Sequence, residues 1–140
     1  MIIRAETDEQ IQATFAVMHQ LRPHLVADTY GALIRELMQT RGYRLAALLD
    51  EAGEVRAVAG YHLDRMLYCD RLLLLNDFVT DERLRSRGYG RQLLTWLKDE
   101  ARAHGCTQLQ LISNVRREDA HRFYYREGFV IAAFHFQTVL

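Results

Sequence analysis

Arg85-Ser86-Arg87-Gly88-Tyr89-Gly90 is the stretch on which the reading of this chain turns. Leu72 to Thr80, before it, reads as a buried strand, and Gly90 to His104, after it, as an amphipathic helix. Glycine tolerates positive φ and lets the backbone come close to a ligand. Where a strand turns into a helix, successive backbone N–H groups point outward and the helix dipole favours negative charge. Two glycines and two arginines at such a junction make an anion cradle suited to a pyrophosphate. The stretch is not a dinucleotide fingerprint of the three-glycine type: the third glycine would fall where Leu93 stands.

Working outward, the helix after the cradle carries Leu93, Leu94, Leu97 and Ala101 on one side and stops at Gly105. Leu109, Leu111 and Ile112 mark a further strand, Arg117 to Arg126 a short helix ended by Gly128, and Phe129 to Val139 a last strand. Upstream, Met1 to Ala5 suits a short strand. Thr7 or Asp8 caps a helix with Ile11, Phe15, Met18 and Leu21 at helical spacing, and Pro23 limits it. A second helix runs from Asp28 to Gln39, with Gly42 as its stop. Arg44 to Leu49 and Val55 to Leu63 form a hairpin about the turn Asp50-Glu51-Ala52-Gly53-Glu54. The order β-α-α-β-β-β-α-β-α-β implies a mixed sheet with helices on both faces.

The 140 residues suit one domain, 1–140, and 49% hydrophobic residues suffice for a core. Lysine plus arginine and aspartate plus glutamate number 18 each, so net charge is zero, which argues against a nucleic-acid partner. Apolar runs stay short of membrane-spanning length, so no membrane partner is expected. Cys69 and Cys106 lack metal-ligand spacing and read as reduced thiols of a cytoplasmic protein.

Two segments together resemble the GCN5-related N-acetyltransferase (GNAT) family. Arg85-Ser86-Arg87-Gly88-Tyr89-Gly90 is similar to its Gln/Arg-x-x-Gly-x-Gly/Ala pyrophosphate loop. Ala120-His121-Arg122-Phe123-Tyr124-Tyr125-Arg126-Glu127-Gly128-Phe129 is similar to its Ala-x-x-Phe-Tyr-x-x-x-Gly-Phe signature. The match covers residues 45–136; the first forty fit only in layout. The resemblance implies an α/β fold with a mixed, mostly antiparallel sheet of six to seven strands and helices on both faces. It also implies transfer of an acetyl group from acetyl-CoA to a primary amine by direct attack in a ternary complex, with no metal.

On this resemblance the backbone of Arg85, Ser86, Arg87, Gly88, Tyr89 and Gly90 holds the CoA pyrophosphate, aided by the two arginines. Phe78, Val79 and Thr80 pair with the pantetheine arm, and an N–H near Phe78 or Val79 stabilises the oxyanion. Asn114, after the strand that follows, joins the donor-binding set. Tyr124 stands at the position of the family's tyrosine acid, and a phenol with pKa about 10 suits protonation of the departing thiolate. Tyr125, about 100° round the helix, points elsewhere.

The base stays open. Asp77 is a carboxylate in an apolar strand just before the acetyl site and is a candidate, as is His121, which is equally a helix-start contact; water-mediated deprotonation is a third route. His62 and His135 read as histidines satisfied by their neighbours. A bacterial subgroup reads Asp-Asp-Leu-Val-Thr where this chain has Asn76-Asp77-Phe78-Val79-Thr80. Asn76, and Ile112 in place of a common aspartate, argue against a metal or polyamine site.

The resemblance implies a small-molecule or protein amine as acceptor, with Gln20 to Tyr43, including His24, Asp28 and Tyr30, as one wall of its site. An acidic acceptor would need Arg22, Arg41 or Arg65. A non-catalytic acyl-CoA-binding regulatory module keeps the same motifs and differs in being indifferent to Tyr124→Phe. A transferase acting on charged tRNA is disfavoured by zero net charge. The apolar last strand allows a homodimer.

Overall fold

The computed structural model describes residues 1–84 and 87–140. Two compact units divide the chain, Met1–Gln110 and Leu111–Leu140. The elements are β1 (Ile2–Arg4), α1 (Asp8–Ala13), α2 (Phe15–Leu21), α3 (Ala27–Arg41), β2 (Arg44–Leu49), β3 (Val55–Met66), β4 (Asp70–Thr80), a 3-10 turn (Glu82–Leu84), α4 (Tyr89–Ala103), β5 (Gln108–Leu111) and α5 (Glu118–Arg126). Among the described residues the strands form one sheet in the order β1-β2-β3-β4-β5, and the pairs β1/β2, β2/β3 and β3/β4 are antiparallel. No helix of the described residues is long and apolar enough to cross a membrane.

The sheet is mixed α/β and mostly antiparallel, as expected, but it has five strands among the described residues rather than six to seven. The missing member is the expected last strand: residues 129–140 carry no regular secondary structure. Alternating apolar residues supply β propensity, but a strand exists only where another strand takes its hydrogen bonds.

The expected first helix is two. Thr7 opens α1 with a capping box, its hydroxyl accepting from the Gln10 N–H and the Gln10 side chain accepting from the Thr7 N–H. At Thr14 the run breaks: its N–H donates to Ile11 O at 3.0 Å, and its hydroxyl donates to the same carbonyl at 2.6 Å. Such back-bonding tightens the turn and separates α1 from α2. Gly42 ends α3 in the left-handed region at φ 64°.

The helices cover both faces. Leu45, Val58 and Val79 share a face with Ile11, Met18, Tyr30 and Ile34 of α1–α3. Neighbours on a strand point to opposite faces, so Ala46, next to Leu45, faces the other way, with its cross-strand partner Arg4. That side meets α4: the Arg4 guanidinium lies 5.3 Å over the Trp96 ring, and Tyr61 meets Trp96 edge-on at 6.3 Å.

Beneath α4 lies one buried carboxylate, Glu100. It takes an ion pair from Arg4, the Tyr61 hydroxyl at 3.0 Å, and Arg44 at 3.6 Å. Burial alone would raise its pKa, but the Arg4 and Tyr61 hydrogen bonds outweigh it and leave the carboxyl below its ordinary value. A depressed folded pKa contributes stability that is fully present above the unfolded value of about 4.3 and is lost as pH falls through the folded one. Glu100→Gln is therefore expected to be less stable than the parent near neutrality and to show a shallower loss below about pH 4.3. Urea unfolding midpoints between pH 6 and 3 check this, and parallel curves for the two proteins would refute it.

Candidate active site

The single break in the apolar run of β4, Asn76-Asp77, is where the sheet ladder slips. Gly60 pairs with Asp77, but the next residue, Tyr61, pairs with Leu75, so Asn76 is the extra residue of a bulge. Bulges re-aim side chains and recur beside functional sites. Here both Asp77 oxygens are engaged. Arg22 Nε donates to Oδ1 at 2.9 Å, and the Tyr43 hydroxyl donates to Oδ2 at 2.8 Å. Arg22 also donates to the Asn76 carbonyl at 3.2 Å, and the Asn76 side chain bonds the His62 ring at 2.7 Å.

Two tyrosines support this cluster. Burial, then the nearby Asp77 charge, pushes the Tyr43 phenol well above its ordinary pKa, so it acts as donor. Tyr30 is buried beside Thr14, at 2.7 Å between their hydroxyls, and burial pushes it up to about 12. The expected acceptor wall is thus only partly surface: Tyr30 is core, while His24 and Asp28 are exposed. Of the three arginines considered for an acidic acceptor, Arg22 is the one beside Asp77. Arg65 pairs with Asp70 at 2.6 Å, and Arg41 lies exposed in the last turn of α3.

The sequence reading did not single out Gly60, Tyr43 or Asp81 as members of the site. A Cβ on Gly60 would stand 1.6 Å from the Tyr43 hydroxyl, so only glycine lets that phenol reach Asp77. Asp81, fully buried just past Thr80, accepts from Arg83 at 2.7 Å and from Arg56 at 3.4 Å. The Arg83 hydrogen bond above all holds its carboxyl far below the ordinary carboxylate range. Gln20 accepts from the Glu82 N–H at 2.9 Å. Together these fix where the chain leaves β4 for the glycine loop. An aspartate at the end of an apolar strand, next to an arginine-rich loop, was the available signal.

Arg85 and Ser86 of that loop lie outside the described residues. Beyond them, Gly88 stands at φ 78°, in the left-handed region, immediately before α4, and no side chain among the described residues caps the helix. The first bond of α4 runs from the Gln92 N–H to the Gly88 carbonyl at 3.0 Å. The first-turn N–H groups, of Tyr89 onward, thus have no partner within the helix. Phe78, Val79 and Thr80 close β4, with Phe78 and Val79 buried and Thr80 half-buried.

In the second unit, Asn114 shapes the turn before α5. Its side-chain oxygen accepts from the Arg116 N–H at 2.9 Å, and its carbonyl accepts from the Arg117 N–H at 3.0 Å. His121 Nε2 donates to the Asn114 carbonyl at 2.9 Å. It is a helix-start contact. Tyr124 is the buried residue of α5, its ring meeting Phe123 at 5.6 Å and Phe129 at 5.7 Å. Burial raises its pKa, partly offset by Arg117. Tyr125 is exposed.

A description of the Acetyltransferase (GNAT) family matches residues 9–129. The chain belongs to that family and is an N-acetyltransferase. Among relatives, it is 33% identical over 130 residues to the uncharacterized N-acetyltransferase YhdJ of Bacillus subtilis, covering 92% of this chain and 91% of that one. It is 35% identical over 99 residues to the aminoalkylphosphonate N-acetyltransferase of Salmonella typhimurium, covering 70% of this chain and 62% of that one. Its fold is similar to that of the aminoglycoside N-acetyltransferase AAC(6')-Iy in complex with CoA, with TM-score 0.85, 16% identity, and 100% and 93% of the two chains covered. A transcriptional regulator of Bacillus halodurans shares the fold at TM-score 0.86 and 19% identity, with 100% and 99% covered.

Proposed function

We propose that this chain transfers an acetyl group from acetyl-CoA to the primary amine of a small molecule. The observation that carries the proposal is Gly88: a positive φ at the start of α4, whose N-terminus no side chain among the described residues caps, in a sequence bearing Arg85 and Arg87. The CoA pyrophosphate sits over the backbone of residues 85–90, where the dipole and the first-turn N–H groups favour it. The pantetheine arm runs along Phe78, Val79 and Thr80, with Asn114 donating to it.

The neutral amine attacks the thioester carbonyl carbon, and the C–O electron pair moves onto oxygen. A backbone N–H at Phe78 or Val79 stabilises that oxyanion. As the carbonyl re-forms, the C–S bond breaks and Tyr124 gives its proton to the thiolate. The acceptor's own proton leaves through water. Asp77, with Arg22 on one oxygen and Tyr43 on the other, is better suited to hold an ammonium group than to abstract a proton. Arg22 places a cation beside that anion. An acceptor with an amine and an acid group in one small molecule would engage both, a pattern that the name of the Salmonella relative also describes.

Thermal unfolding with acetyl-CoA tests the donor site. At a hundredfold excess over Kd, binding linkage supplies about 2.7 kcal/mol, a shift of several degrees. Gly88→Glu is expected to abolish the shift: it strains the left-handed position and sets a carboxylate in the open space where the anion binds. Absence of any shift in the parent at millimolar acetyl-CoA would sink the reading. A panel of amines with and without an acid group, read by thiol release, then defines the acceptor.

A further inference from the structure

We propose that Gln20 is a positioning residue for the donor. From α2 it fixes the turn that leads into residues 85–90 and so sets affinity for the phosphate-bearing end of acetyl-CoA, a role that rests on the reading of those residues as the pyrophosphate loop. The turn is one round of 3-10 helix, Glu82–Leu84, directly after Asp81. Such turns have poor internal hydrogen bonds and hold their shape weakly by themselves. Its backbone bond runs from the Leu84 N–H to the Asp81 carbonyl at 2.9 Å, and the Arg83 N–H donates to Asp81 Oδ1 at 3.2 Å. The first N–H, of Glu82, goes to Gln20. Gln20 Oε1 accepts it at 2.9 Å, while Nε2 of the same amide donates to Asp81 Oδ1 at 3.4 Å. One planar group thus grips the first N–H of the turn and the carboxylate that caps it.

The grip comes from a distant part of the chain, 62 residues away from Glu82. Two residues after Gln20, Arg22 donates to Asp77 Oδ1 and to the Asn76 carbonyl. The end of α2 therefore holds this stretch of chain at both ends, at 76–77 and at 81–82. Glu82 is exposed, so water would serve its N–H as well, and the fold gains little from the bond. What the bond supplies is direction: the chain leaves Asp81 on one course. The Arg83 guanidinium turns back to Asp81, through Nε at 3.1 Å and Nη2 at 2.7 Å. Its charge is engaged there, so this turn serves the donor by placing the backbone that follows. Backbone N–H groups at a helix start hold an anion when they are aimed at it. A displacement of about 1 Å in positioning groups can cost about 10²-fold in rate.

The test uses the full chain and two donors: acetyl-CoA, and acetyl-pantetheine, which is the same thioester arm without the pyrophosphate and the nucleotide. Calorimetry and chemical-shift titration read both affinities without an acceptor. Gln20→Met keeps the length of the side chain and removes both hydrogen bonds. It should weaken acetyl-CoA by about tenfold, the factor that one hydrogen bond of ordinary net strength carries. Acetyl-pantetheine should bind within about twofold of the parent, on the scale of a surface substitution. Gln20→Glu keeps an oxygen for the Glu82 N–H but sets a carboxylate against Asp81, and it too should weaken acetyl-CoA selectively. Unchanged acetyl-CoA affinity in the folded variants, or a loss shared equally by acetyl-pantetheine, would overturn the role of Gln20 and leave the pyrophosphate loop standing. A parent that binds acetyl-CoA no more tightly than acetyl-pantetheine would remove the loop reading, and the role of Gln20 with it. Should both variants fail to fold, amide exchange in the parent decides. The Glu82 N–H should exchange slowly, and more slowly with acetyl-CoA than with acetyl-pantetheine. Rapid exchange there, or equal exchange with the two donors, would overturn the clamp.

Discussion

Tyr124→Phe is expected to lower kcat by about 10²–10⁴-fold, the usual contribution of a positioned general acid. Acetyl-CoA binding and folding should be nearly unchanged, because the ring keeps its contacts with Phe123 and Phe129. The pH profile sharpens the test. Burial raises the Tyr124 pKa, so the phenol keeps its proton through neutral and mildly alkaline pH. The active, protonated form is lost only as pH climbs through that raised value, and the corresponding alkaline limb should vanish in the variant. Tyr125→Phe, at an exposed position on the same helix, is the control and should leave kcat within about twofold, on the scale of a surface substitution. A Tyr124→Phe enzyme turning over at near-parent rates would remove Tyr124 from the chemistry.

Gly60→Ala is expected to be the most damaging small substitution in the first unit. The added carbon would lie 1.6 Å from the Tyr43 hydroxyl, 2.3 Å from its ring and 2.9 Å from Asp77 Oδ2. Tyr43 is buried and cannot swing into solvent, so it must shift and release Asp77. Overpacking costs about 1–3 kcal/mol, and the orphaned hydrogen bond adds about 1–3 kcal/mol. Urea unfolding should show the loss. In a Tyr43→Ala background, where the clashing atoms are absent, the further cost of Gly60→Ala should shrink well below its cost alone. Equal costs in both backgrounds would mean that the contact is relieved elsewhere.

The same two sites divide what could be read from the chain from what could not. The glycine loop, the helix it opens, and the Phe-Tyr signature are contiguous in sequence, and their chemistry depends on local geometry. A glycine before a helix adopts positive φ, and a helix N-terminus attracts anions, wherever they occur. The hairpin about Asp50–Glu54 was legible for the same reason. So was the C-terminal stop at Gly42.

By contrast, Asp77 read as an apolar-strand carboxylate of open purpose, because its partners are distant in sequence: Arg22 at the end of α2, Tyr43 just before β2, and Gly60 on the neighbouring strand β3. Helical spacing could not show the break at Thr14, which comes from a hydroxyl bonding back to Ile11. Nor could alternation show that residues 129–140 form no strand, since a strand is a property of two segments rather than one. Local backbone preference thus lies in the sequence itself. The engagement of Asp77 and the burial of Glu100 and Asp81 among arginines were decided by tertiary structure, because hydrogen bonds and ion pairs depend on which distant groups the packed chain brings within reach.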